Sequence, residues 1–122
     1  MFVSDALGVN NDGNLCFSGV DTVSLAKEYG TPLYVMNEDG IRKNCQSFKN
    51  AVDEYYDGNG LILYASKAFC CKEMCRIIMS EGLGLDVVSN GELQTALSVN
   101  FPAEKIFLAL RHPLAYHRLT QY

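Results

Sequence analysis

The chain has 122 residues, 48% of them hydrophobic and 20% charged, a globular balance that excludes disorder, collagen-like sequence and simple repeats. Ten basic against fourteen acidic side chains leave −4 at pH 7 with no basic block, so no nucleic-acid partner is expected. The longest apolar runs fall far short of the ~18 residues of a membrane span, so no membrane partner is expected either. Met1-Phe2-Val3-Ser4-Asp5 has neither a charged start nor an apolar core, so no signal peptide is read there. Five cysteines without paired spacing then point to a reducing, cytoplasmic setting.

In chain order, Asp12-Gly13 between Val9 and Leu15 is a tight-turn signal and predicts a hairpin within residues 1–20. Asp21 is placed to cap a short helix, Val23 to Tyr29, which Gly30 stops. Pro32 opens a predicted strand over 33–36. Ile41, Cys45, Phe48, Val52 and Tyr55 recur at three-to-four spacing and predict a helix over 38–56 with one apolar stripe. Asp57-Gly58-Asn59-Gly60 turns the chain.

Three runs, 61–65, 83–88 and 106–110, are apolar without alternation, as strands buried on both faces are. Between them lie two predicted helices. The first runs from Phe69 to Glu81, with Cys71, Met74, Cys75 and Ile78 inward and Gly82 as its stop. The second starts at Ser89-Asn90-Gly91-Glu92, a capping box, and runs through Val99 with Leu93, Ala96 and Leu97 on one face. Asn100 closes it, and Pro113 breaks whatever follows the last strand. The order strand–helix–strand–helix–strand predicts an α/β fold with a parallel sheet and helical crossovers. Three strands cannot close a barrel, which takes ~250 residues. Alone they form an open sheet with an exposed edge.

Lys67 stands two positions beyond Tyr64-Ala65, at the C-terminal end of the first buried strand, the end that carries the chemistry in parallel strand–helix proteins. A lysine desolvated there is suited to imine formation with a carbonyl or a pyridoxal cofactor. A solvent-facing lysine is the plainer reading of the residue type. Asp86, inside the second apolar strand, needs a partner or water, and an ion pair with Lys67 is geometrically open to it. Glu92 is accounted for by the capping box, although its helix begins at the same end of the sheet. The free N–H groups near Asn90 and Gly91 would attract an anion, as any helix N-terminus does. Cys71 and Cys75 lie one helical turn apart and read as core, and His112 and His117 lack partners at zinc spacing, so no metal site is expected. Gly82-Leu83-Gly84 precedes its strand and so is not a dinucleotide fingerprint. The stretch from Asp53 to Gly60 lacks the closing glutamate of a calcium loop.

Tyr64-Ala65-Ser66-Lys67-Ala68-Phe69 resembles the Tyr-Ala-x-Lys-Ala segment of the alanine-racemase-fold, pyridoxal-phosphate-dependent decarboxylases, and most of all the branch acting on diaminopimelate. Residues 82–93, with Leu85-Asp86-Val87 and Gly91-Glu92-Leu93, are similar to that family's second barrel strand and following helix. Residues 101–106 are similar to its approach to the third strand, and Gly30-Thr31-Pro32-Leu33-Tyr34-Val35 to its entry segment. The resemblance covers about 1–107. The family continues with His-Gly-Asn-Asn-Lys, where Leu108-Ala109-Leu110-Arg111-His112-Pro113 stands here.

The resemblance implies the N-terminal part of a (β/α)8 barrel, with about three barrel strands present. Residues 1–36 would be a preceding segment that packs on a C-terminal β domain in the family. Residues 37–110 would be an incomplete cofactor-binding barrel, and 111–122 a tail outside the pattern. It implies pyridoxal 5′-phosphate carried on Lys67, cofactor contacts from Ala65 and Asp86, and Asp86 and Glu92 as acids near the lysine. The implied reaction is decarboxylation of meso-2,6-diaminopimelate to L-lysine in the cytoplasm by a homodimer. The chain itself is expected to be a partial, inactive fragment. The alternatives are a fragment of a related ornithine or arginine decarboxylase, or a non-catalytic truncated product.

Overall fold

The computed structural model describes residues 4–109 and 116–118 and divides into two compact units, Met1–Gly40 and Ile41–Tyr122.

The first unit is a three-stranded antiparallel meander followed by a helix. Strands β1 (Leu7–Val9) and β2 (Leu15–Phe17) pair with Val9 opposite Leu15, and β3 (Val20–Asp21) adds to β2. The predicted hairpin forms, and its connection is organised by Asn10. The Asn10 side-chain oxygen accepts from the backbone N–H of Asp12 (3.0 Å) and Asn14 (2.9 Å). Asp21 caps α1 (Thr22–Tyr29), its carboxylate accepting from Val23 N at 2.7 Å and Ser24 N at 3.3 Å. The other carboxylate oxygen accepts from the side-chain amides of Asn10 (2.8 Å) and Asn14 (2.9 Å). One carboxylate therefore ties the hairpin loop to the helix start.

The strand predicted at 33–36 does not form. Residues 33–36 join no ladder, and Leu33, Tyr34, Val35 and Met36 are all exposed, Tyr34 at 90%. Apolar, β-prone residues make a strand only where a neighbouring backbone bonds to them.

The second unit is built on α2 (Glu38–Tyr56), whose first turn holds the boundary, and on a four-stranded sheet. Its strands are β4 (Leu63–Ala65), β5 (Gly84–Val87), β6 (Ile106–Ala109) and β7 (Tyr116–Arg118), in that spatial order. β4–β5 and β5–β6 are parallel, as the alternation of elements predicts. The crossovers are α3 (Lys72–Ser80) and α4 (Asn90–Leu97). β7 runs antiparallel to β6, with Ala109 opposite Tyr116, so the edge expected to be open at the third strand is paired. Apart from β7, the tail and Pro113 lie outside the described residues.

The register explains the burial. Tyr64, Leu85 and Ile106 align on one face, with Val87 and Leu108 beside them, and α3 and α4 pack there through Met74, Cys75, Ile78, Leu93 and Ala96. Ile78, Val87 and Ile106 are fully buried and Leu85 is 1% exposed. Burying each such side chain contributes about 1.5–3 kcal/mol. The opposite face carries Leu63, Ala65, Gly84, Asp86 and Phe107. A Cβ at Gly84 would meet Leu63 Cδ2 at 2.6 Å and the Lys105 carbonyl at 2.7 Å, so this position has room only for glycine.

Three expectations are corrected here. β4 is half-buried along its length instead of buried on both faces, because it is an edge strand. On α2, Cys45 is buried and Ile41 packs on the core, but Phe48 and Tyr55 are 65% and 72% exposed. The apolar stripe is longer than the surface that covers it. On α4, Leu97 is 42% exposed, because the helix ends there and Val99 and Phe101 fill the core instead.

Candidate active site

β4 delivers the chain into a 3₁₀ turn, Ser66–Ala68, with Lys67 at its centre. The helix predicted from Phe69 starts later, because Cys71 takes the N-cap position and its sulfur accepts from Met74 N at 3.4 Å. Cys70 and Cys75 then occupy the positions of a hydrophobic staple across the first turn. Cys75 is 1% exposed, and burial, followed by the neighbouring Cys70, pushes its thiol up to about 12. Burial also raises the Tyr64 phenol above its ordinary range, and the Tyr64 hydroxyl donates to the Phe69 carbonyl at 3.0 Å.

Ala65, the last residue of β4, stands opposite Asp86 on β5, and Lys67 follows two residues on. Ala65, Lys67 and Asp86 thus share the C-terminal end of two neighbouring parallel strands. The Lys67–Asp86 ion pair open to them in the sequence does not form among the described residues. Lys67 is exposed on its turn, as the plainer reading of a solvent-facing lysine at the strand end has it, and the desolvation that would favour imine formation is not seen there. Asp86 is half-buried, and its Oδ1 is buried without a hydrogen-bond partner. Buried carboxylate oxygens are nearly always bonded, so this one marks a place that a hydrogen-bond donor from a ligand would satisfy.

Glu92 lies in the first turn of α4. Ser89 Oγ accepts from Glu92 N at 3.2 Å, as the capping box requires. The return bond differs, because Glu92 Oε2 accepts from Val88 N at 2.8 Å, one residue earlier than the motif predicts. Glu92 thereby fastens the end of β5 to the start of α4. Two participants were not singled out in the sequence. Ser66 is 1% exposed with its hydroxyl unpartnered, and it anchors the turn from beneath. Its signal is a polar residue at the end of an apolar run. Tyr64 was read as part of a motif, and its bond across the turn is a tertiary fact.

At the other end of the strands, Glu81 accepts from Arg42 Nη1 at 2.7 Å, and Lys49 donates to the Glu81 carbonyl at 2.8 Å. The Arg42 hydrogen bond holds the Glu81 carboxyl below its ordinary range. This cluster fastens α2 to the end of α3, away from Lys67.

The parallel strands with helical crossovers and a lysine at their C-terminal end match a known family: a profile for the pyridoxal binding domain of pyridoxal-dependent decarboxylases covers residues 38–112, more than half of the chain. The chain belongs to that family. Among its relatives, the diaminopimelate decarboxylase of Bacillus methanolicus is 47% identical over 106 residues, covering 87% of this chain and 24% of the relative. That of Mycobacterium tuberculosis (strain H37Rv) is 44% identical over 96 residues, 79% of this chain and 21% of the relative. The crystal structure of a diaminopimelate decarboxylase from M. jannaschii in complex with L-lysine superposes with a TM-score of 0.72 at 36% identity, over 92% of this chain and 26% of that one. The chain spans about a quarter of the length of the relatives it matches. Among the described residues no helix is long and apolar enough to cross a membrane.

Proposed function

We propose that the chain supplies the lysine-bearing opening of a pyridoxal-phosphate-dependent decarboxylase that converts meso-2,6-diaminopimelate to L-lysine in the cytoplasm. In this reading, residues 37–110 are the first three strand–helix units of a (β/α)8 barrel, and 1–36 precede it and pack on a C-terminal β domain. The complete enzyme is a homodimer. The observation that carries the reading is the unpartnered, buried Asp86 Oδ1 at the strand end it shares with Lys67. The match to the pyridoxal binding domain and the diaminopimelate decarboxylase relatives supply the substrate class.

The residues fit the cofactor. Lys67 Nζ is exposed and unpaired among the described residues, and so is open to a carbonyl carbon. Asp86 Oδ1, buried without a partner on the strand next to the one that leads into the Lys67 turn, is open to a hydrogen-bond donor of the cofactor. Ala65 presents only a methyl group on the face it shares with Asp86, the small side chain a cofactor contact there calls for. Glu92 holds the β5–α4 junction through Val88 N and keeps the acidic end of the site in place. Pyridoxal phosphate, when bound, supplies the conjugated system that takes up the electron pair left by departing carbon dioxide.

The test is borohydride treatment of the chain with pyridoxal phosphate, followed by peptide mass analysis. Label concentrated on Lys67, and lost in Lys67→Ala, is expected. Label spread evenly over the exposed lysines overturns the reading, as does full decarboxylase activity in Lys67→Ala of the complete enzyme.

A further inference from the structure

We propose that Tyr64 is a positioning residue for Lys67: its hydroxyl, bonded to the Phe69 carbonyl, clamps shut the turn that carries the lysine. The proposal rests on the reading of Lys67 as the cofactor anchor.

The turn needs such a clamp. It spans three residues, and 3₁₀ geometry makes poor hydrogen bonds over so short a length. Its N-cap position is Ala65, which has no side chain able to cap it. Lys67 itself is exposed and adds no ion pair among the described residues. The turn packs against β5, and two side chains bear on it further. Ser66 is sunk to 1% exposure with its hydroxyl unpartnered among the described residues, so it fixes depth without direction. The 3.0 Å bond from Tyr64 to Phe69 joins the residues on either side of the turn and sets its direction. Tyr64 is suited to this, because its backbone is held in register with Leu85 and its side chain packs against the core. Its phenol is protonated at neutral pH, as an ordinary tyrosine is, and so has the proton to donate to the Phe69 carbonyl. An amine held in one place reacts with a bound carbonyl more often than one sweeping through solvent.

Tyr64→Phe removes the hydroxyl and keeps the ring. Two readouts in the full chain separate the clamp from the site reading. The first is the ratio of borohydride-fixed pyridoxal phosphate on Lys67 to that on the exposed Lys43. One hydrogen bond is worth about 2- to 10-fold, so the ratio is expected to fall by that factor in Tyr64→Phe. A loss of global stability would also lower this ratio, and exchange in α4 of the same sample reports whether one has occurred. The second, free of cofactor, is amide exchange over residues 66–70 compared with α4 in the same sample. Exchange is expected to quicken about 2- to 10-fold in the turn and not in α4. Unchanged exchange in the turn overturns the clamp. Faster exchange with an unchanged Lys67:Lys43 ratio overturns the positioning role. If the unsubstituted chain shows no preference for Lys67 over Lys43, the site reading fails, and the exchange result still decides the clamp.

Discussion

The two units of the chain are held together by different physics. In the first, Cys16 is the one buried apolar residue among the described positions, and α1 buries none. Its order comes from Asp21, whose two carboxylate oxygens take four hydrogen bonds from the hairpin loop and the helix start. In the second unit, Ile78, Leu85, Val87 and Ile106 are buried to 1% exposure or less between one sheet face and two crossover helices. A polar knot depends on the charge state of one group, whereas an apolar core depends on volume and is indifferent to pH. The lysine-bearing turn sits on the second kind of scaffold, which is what a group needing a fixed position requires.

This contrast can be broken in several ways. The largest effect belongs to Ile78→Ala, which should cost the second unit about 2–5 kcal/mol through lost burial and a cavity, read by urea unfolding. A loss below 1 kcal/mol would mean that the core is not packed as described. Gly84→Ala comes next, at about 1–3 kcal/mol, because its methyl group would overlap the Lys105 carbonyl, which cannot swing away. Ser89→Ala should cost about 1 kcal/mol through the loss of the Glu92 N bond, with Ser89→Asp restoring it.

The pH dependence sharpens the comparison. The Asp21 carboxyl is held below its ordinary range, first by Asn14, and that of Glu81 first by Arg42. Both contribute stability that is complete above the ordinary carboxylate range and is lost as pH falls through the lowered values. Acid should therefore speed amide exchange in β1 to α1, and Asp21→Asn should flatten that response. In the second unit the apolar core should leave only a shallow acid dependence, which Glu81→Gln removes. The smallest effect is on labelling. Cys75, with its thiol pushed up to about 12, should resist alkylation at neutral pH until denaturant is added, while half-exposed Cys70 reacts. Early alkylation of Cys75 would show that the staple under the lysine turn is open.

Much of the fold was legible because its signals are local. Asp21 and Ser89 cap the helices read from them, and the parallel order follows from apolar runs at regular intervals. At the candidate site, Ala65, Lys67 and Asp86 could be brought to one strand end from sequence, because parallel pairing aligns strand ends. The bond of Glu92 to Val88 N, the sunken Ser66 hydroxyl and the Tyr64 clamp could not be read, since each depends on the path of the chain after the strand stops.

The sequence by itself determined which stretches are helix and which are apolar strand, the caps at Asp21 and Ser89, and the order of strands and crossovers, because these act between neighbours on one stretch of backbone. Only the tertiary structure decided which of those elements found partners. It left 33–36 unpaired, put β4 at an edge, laid β7 antiparallel along β6, and left Lys67 and Asp86 without an ion pair between them. Pairing and burial depend on what arrives from elsewhere in the chain, and no local pattern carries that information.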